Sequence, residues 1–163
     1  MVFVDLQTDA VLPLFLSPQN DDSPSDDINI KQPPPVSADA PTILVVDDDL
    51  ANLALAEALL QAEGFNVRVA IDAASTFKVL QAVTPALILM DIQLPEVDGW
   101  ELTRRLKADA KTQVIPVIAI TAYGKAGDER KAKEAGFAEF LSKPVSTREL
   151  PHIVRRHLPS PGR

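Results

Sequence analysis

The sequence predicts an α/β fold: a five-stranded parallel sheet with helices on both faces, in a three-layer αβα sandwich. Three observations predict it. From Thr42 onward, short apolar runs alternate five times with stretches of helical character. Several of those runs, such as Ile43-Leu44-Val45-Val46 and Ala86-Leu87-Ile88-Leu89-Met90, are continuously apolar, as strands buried on both faces are. Every connection between strands carries a helix, and parallel strands need such crossovers.

The first strand, residues 43–46, runs into Asp47-Asp48-Asp49. Residues 50–63 follow as a helix rich in Ala and Leu, with Leu53, Ala56 and Leu60 on one face and Gly64 where a left-handed cap is expected. Residues 65–70 form the second strand. Asp72 caps a helix to Val83 with Phe77 and Leu80 inward. Pro85 opens the third strand, which ends abruptly in Asp91. Asp98 and Glu101 form a capping box for the third helix, whose Leu102 and Leu106 share a face. The fourth strand is residues 116–121 and the fourth helix residues 124–135, ended by Gly136. The fifth strand is residues 137–142. Ser146 and Glu149 make a second capping box, and Leu150, Ile153, Val154 and Leu158 give the last helix its apolar stripe.

Residues 1–40 are a separate compositional unit. They hold six of the 14 prolines and seven acidic residues against one lysine. A disordered acidic tail is expected there, with the folded domain at residues 41–163. The other 123 residues carry 16 acidic and 15 basic groups, so the net charge of −7 belongs mostly to the tail. No basic stripe suits nucleic acid. No stretch approaches the roughly 20 apolar residues of a membrane span. The start lacks an early Lys or Arg and does not read as a secretory signal, so a cytoplasmic protein is expected. With no cysteine, disulfides, thiolate metal sites and thiol catalysis are excluded.

In a parallel sheet the strand ends share one edge. Asp47 and Asp48, Asp91, Thr121, and Lys143-Pro144 all stand at such ends. Three crowded carboxylates repel one another and favour a hard cation, and Mg2+ takes oxygen ligands. A carboxylate beside Mg2+ and a lysine suits a phosphoryl acceptor, with the Thr121 hydroxyl donating to a phosphoryl oxygen. Taken singly, Asp47 and Asp48 read equally as helix caps; a strand-end hydroxyl for Thr121 and a surface lysine for Lys143 are the lesser readings, the latter because Pro144 fixes the loop behind it. Trp100 reads as packing or partner-surface material, and His152 and His157 as solvated.

Val45-Val46-Asp47-Asp48, Met90-Asp91-Ile92-Gln93-Leu94-Pro95 with Asp98-Gly99, Ile120-Thr121-Ala122 and Ser142-Lys143-Pro144 together resemble the receiver domain of two-component response regulators. The resemblance spans residues 42–158. It implies a flavodoxin-like sheet of strand order 2-1-3-4-5. It implies that Asp91 is the phosphoacceptor (a 4-aspartylphosphate), and that Asp48 and the backbone carbonyl of Gln93 bind Mg2+ directly, with Asp47 acting mainly through water. Thr121 and Lys143 would bind the phosphoryl group, and Pro144 would follow a cis peptide. Thr121 and Phe140 would be the switch pair, although Phe140 reads equally well as ordinary core. Gln93 and Tyr123 occupy the positions that tune phosphoryl lifetime in such regulators. The motif from Asp91 to Val97 with Tyr123 most resembles single-domain regulators of cell division and polarity.

The expected function is phosphoacceptor signalling rather than enzymatic turnover, with only self-phosphorylation and self-dephosphorylation. The expected partners are a sensor histidine kinase or histidine phosphotransfer protein and a downstream protein target. The latter would be met through the fourth helix, fifth strand and fifth helix, with no output domain, nucleic acid or membrane involved. A degenerate receiver acting as a phosphorylation-independent binding module is the alternative, but such modules usually lack one of the residues retained here. A haloacid-dehalogenase-like phosphatase needs an acid where Gln93 stands. A dinucleotide-binding domain needs G-x-G-x-x-G where Asp47-Asp48-Asp49 stands.

Overall fold

The computed structural model describes residues 37–122 and 128–160. Five strands and five helices alternate: β1 Thr42–Val46, α1 Leu50–Ala62, β2 Asn66–Ala70, α2 Ala73–Ala82, β3 Leu87–Asp91, α3 Gly99–Ala108, β4 Val117–Thr121, α4 Asp128–Ala135, β5 Glu139–Ser142 and α5 Glu149–His157. The strands form one parallel sheet in the order β2-β1-β3-β4-β5. This is the doubly wound order in which the sequence of strand addition, not strand direction, reverses between β1 and β3.

Strand residues alternate between two apolar layers, which is why the central runs have no polar positions. Ile43, Val45, Leu87, Leu89 and Ile118 join Leu53 and Leu60 of α1 and Leu150 and Val154 of α5. Leu44, Val46, Ile88, Met90, Val117 and Ala119 join Leu102 and Leu106 of α3, Ala132 and Ala135 of α4, and Phe77 and Leu80 of α2. Each fully buried Leu or Ile contributes about 1.5–3 kcal/mol of transfer free energy, so these layers dominate the stabilisation.

Helix ends follow local chemistry. The Asp49 carboxylate accepts from the N–H groups of Ala51 and Asn52 at the start of α1. Gly64 follows α1 at φ 88°, a left-handed value that favours glycine. Asp72 and Ser75 form a reciprocal capping box on α2. Asp98 caps α3 by accepting from the Glu101 N–H at 2.8 Å, while Glu101 instead pairs with Arg104 and Arg105. The expected box at Ser146 and Glu149 is corrected. The chain turns through residues 147–148 first, α5 begins at Glu149, and Arg148 at its cap position makes no side-chain cap bond. Ser146 still accepts from the Glu149 N–H through both its hydroxyl, at 3.3 Å, and its carbonyl.

Residues 37–40 form a turn whose Ser37 and Ala40 carbonyls accept from the Asn66 side chain. The start expected for the fourth helix, residues 124–127, and Tyr123 lie outside the described residues. His152 is exposed as expected, but His157 is not simply solvated: it is half-buried and hydrogen-bonds Glu139, which Arg156 also engages. Burial acts to raise the Glu139 pKa, but the hydrogen bonds and charges of Arg156 and His157 outweigh it and hold the carboxyl below the ordinary glutamate value.

Candidate functional site

The carboxyl edge of the sheet gathers the predicted polar residues. The parallel register sets Val46 beside Met90, so the next residue of β1, Asp47, stands next to Asp91 at the end of β3. Asp91 lies beside Ile120 of β4, and Thr121 beside Ser142 of β5. The N–H of Lys143 donates to the Thr121 carbonyl at 2.7 Å, which holds the lysine backbone against β4. The Lys143-Pro144 peptide is cis.

Lys143 Nζ bridges the two buried acids, 2.8 Å from Asp47 Oδ2 and 2.9 Å from Asp91 Oδ2. Asp91 Oδ1 accepts from the Gln93 N–H at 2.9 Å, and Asp47 Oδ1 from the Asp49 N–H at 2.9 Å. Carboxylate oxygens of Asp47, Asp48 and Asp91 lie within 4.8 Å of one another, with Asp48 exposed and the other two buried. Thr121 is buried at the end of β4. Gln93 contributes its backbone to the loop beside Asp91, while its side chain is exposed. Phe140 lies outside this cluster. It sits opposite Ala119 in β5 and packs against the layer of α3 and α4.

Burial raises the Asp91 pKa above the ordinary carboxylate value. The Lys143 and Gln93 hydrogen bonds and the Lys143 charge oppose that shift without cancelling it, and the Asp47 charge reinforces it. For Lys143 the balance runs the other way. Burial acts to lower its pKa, but hydrogen bonds and charges of Asp47 and Asp91 raise it, so the ammonium is held.

Two residues gain a role that sequence reading missed. Gly99 opens α3 against the backbone of β3: a Cβ there would lie 2.4 Å from the Asp91 carbonyl oxygen and 2.8 Å from Ile92 Cα. Its N–H donates to the Ile92 carbonyl at 2.8 Å and closes the loop beside Asp91. Asn52 of α1 donates its amide to Asp47 Oδ2 at 3.2 Å. Asn52 also lines an apolar groove of about 370 Å³ between α1 and the β5–α5 segment, with Leu55, Leu59, Val145 and Lys143.

This fold, with its acid cluster and lysine at the carboxyl edge, defines a class of doubly wound α/β proteins with a charged strand edge. The class narrows on comparison with known proteins. A family model for the response regulator receiver domain matches residues 43–155. The polar-differentiation response regulator DivK of Brucella anthropi is 35% identical over 117 residues, covering 72% of this chain and 95% of its own. The chemotaxis protein CheY4 of Vibrio cholerae shares the fold at TM-score 0.70 and 22% identity, over 73% of this chain and 99% of its own. The receiver domain of sensor histidine kinase PA1611 of Pseudomonas aeruginosa matches at TM-score 0.66 and 32% identity, over 72% of this chain and 96% of its own. That domain holds a magnesium ion in its active-site cleft. The chain belongs to the response regulator receiver family of two-component signalling. Among the described residues, no helix is long and apolar enough to cross a membrane.

Proposed function

We propose that this receiver accepts a phosphoryl group from a phosphohistidine onto Asp91, with Mg2+, and passes the signal on through protein contacts. The observation that carries the reading is the Lys143 ammonium bridging Asp47 and Asp91 inside a cluster of three carboxylates. That donor set fits Mg2+: the oxygens are hard, and exposed Asp48 leaves the cluster open to water ligands. Asp47, Asp48, Asp91 and the Gln93 carbonyl would hold the ion. When bound, it offsets negative charge on the transferring oxygens.

The chain's own residues do the rest. The Gln93 N–H and Lys143 fix the Asp91 carboxylate before the donor arrives, which removes an orientational cost from the barrier. One Asp91 oxygen attacks phosphorus, the histidine N–P bond breaks, and its electron pair stays on the departing imidazole. Lys143 turns from the carboxylates to a phosphoryl oxygen, and the Thr121 hydroxyl donates to another. Thr121 and Phe140 then favour one of two existing arrangements of β4, β5 and their flanking helices.

The donor, a sensor histidine kinase or histidine phosphotransfer protein, docks near α1. There the groove opens beside Asp47 and Lys143, and Leu50 and Leu55 are 71% and 53% exposed. A downstream protein meets α4, β5 and α5. That face carries Arg130 and Arg156, paired internally with Glu134 and Glu139, whereas Arg155 of α5 turns toward the end of α1, to Glu63 and the Phe65 ring.

Intact mass after incubation with acetyl phosphate and Mg2+ tests the reading. One added phosphoryl group is expected on the wild type, and none on Asp91→Asn or in chelator. Labelling of Asp91→Asn at the wild-type level would refute the assignment.

A further inference from the structure

We propose that Asn52 is a positioning residue for Asp47, holding that carboxylate in place when Lys143 leaves it. The inference rests on the phosphoacceptor reading above. Asp47 is buried, and its Oδ2 accepts from two side-chain donors: the Lys143 ammonium at 2.8 Å and the Asn52 amide at 3.2 Å. Phosphoryl transfer calls Lys143 away. Without a second donor, Oδ2 would be left buried and unpaired, a costly state that would hold Lys143 back on Asp47. Asn52 supplies that donor, and being neutral it neither repels a cation nor competes for the phosphoryl charge.

The placement of Asn52 argues against a bland surface role. Asparagine is a poorer helix former than the Ala and Leu around it. It lies on the groove side of α1 with Leu55, Ala56 and Leu59, where the other polar side chains of the lining are those of Asp47 and Lys143. The other two polar residues of α1, Glu57 and Gln61, hydrogen-bond each other at 3.1 Å, so Asn52 alone of the three reaches the acid cluster. It acts as an outer ligand holder does: it fixes the orientation of a group that fixes the ion.

The test is Mg2+ affinity by titration calorimetry on the unphosphorylated full chain, with a thermal melt in chelator for each variant. Asn52→Leu keeps the branched four-atom side-chain shape and improves helix propensity but removes the donor. Asn52→Ala removes it with the smallest footprint, and Asn52→Gln restores an amide. The dissociation constant is expected to rise about 10-fold in the Leu and Ala variants, with rescue in Asn52→Gln and little change in the melts. The acetyl phosphate rate should fall in the same two variants even at saturating Mg2+, because Lys143 is then retained by Asp47. Wild-type affinity in Asn52→Leu and Asn52→Ala, or an Asn52→Gln as weak as they are, would overturn the positioning role. Wild type and Asp48→Asn that both fail to bind Mg2+ would overturn the metal reading beneath it, so the two failures are distinguishable.

Discussion

At Gly99 the chain has no room for a side chain, because the first turn of α3 rests on the peptide that follows Asp91. The atoms in the way are backbone and cannot swing aside. Gly99→Ala is expected to cost about 1–3 kcal/mol in urea denaturation, as overpacked sites do, and to slow phosphoacceptance by displacing Asp91. Wild-type stability with wild-type labelling would refute that account. The sequence shows Asp98-Gly99 only as a loop-and-cap motif, since a glycine's need for close approach is visible only once the opposing backbone is placed. Asn52 was hidden for a similar reason: it is five residues from Asp47, and only the turn from β1 into α1 brings the two together. Asp91 and Thr121 were legible because each ends an apolar run, and Lys143 because it follows the fifth strand and precedes Pro144; strand ends share one edge in a parallel sheet. The Asn52 and Gly99 contacts depend on side-chain reach and backbone proximity, which no periodicity encodes.

Among the elements, the helix caps separate what a pattern encodes from what packing decides. The S-x-x-E pattern at Ser146 matches a capping box, yet the chain spends an extra turn before α5 starts. At α2 the box is real, but its reciprocal partner is Ser75, where the pattern asks for Glu or Gln. The hydrogen bonds of Ser75 hold the Asp72 carboxyl below its ordinary pKa. A lowered carboxylate pKa stabilises the fold above the unfolded-state value, and that gain is lost as pH falls through the folded one. Asp72→Ala should therefore lower the urea midpoint at pH 7 and converge on wild type in acid, with the slope unchanged. A deficit that persists undiminished in acid would show that packing, not the charged cap, is responsible. Strand and helix order were legible because three continuous apolar runs, and two interrupted ones at residues 65–70 and 137–142, alternate with helical stretches. The strand order came from the family resemblance, because a parallel sheet's permutation is not written in any local pattern.

For the molecule as a whole, the site sits on a fold stabilised elsewhere. Two apolar layers hold the sheet, while its carboxyl edge carries three like charges and one lysine. Asp91 shows the cost of this arrangement. Burial raises its pKa, so ionising it works against folding; the related stability is present below the ordinary carboxylate value and is lost as pH rises through the raised one. Asp91→Asn mimics the protonated form. It should melt higher than wild type at pH 7, with the gain shrinking on acidification, and an equal gain at both pH values would contradict this origin. A residue that costs stability where it stands, at the edge where the chemistry is expected, is what a functional site on a stable scaffold requires. The most direct measurement is therefore chemical mapping of the modified residue. The protein is treated with acetyl phosphate and Mg2+ and reduced with borohydride, which converts an aspartyl phosphate to homoserine, and its peptides are sequenced by mass spectrometry. The account predicts homoserine at position 91 and nowhere else. An unmodified Asp91, or a phosphoryl group found on another residue, would contradict it.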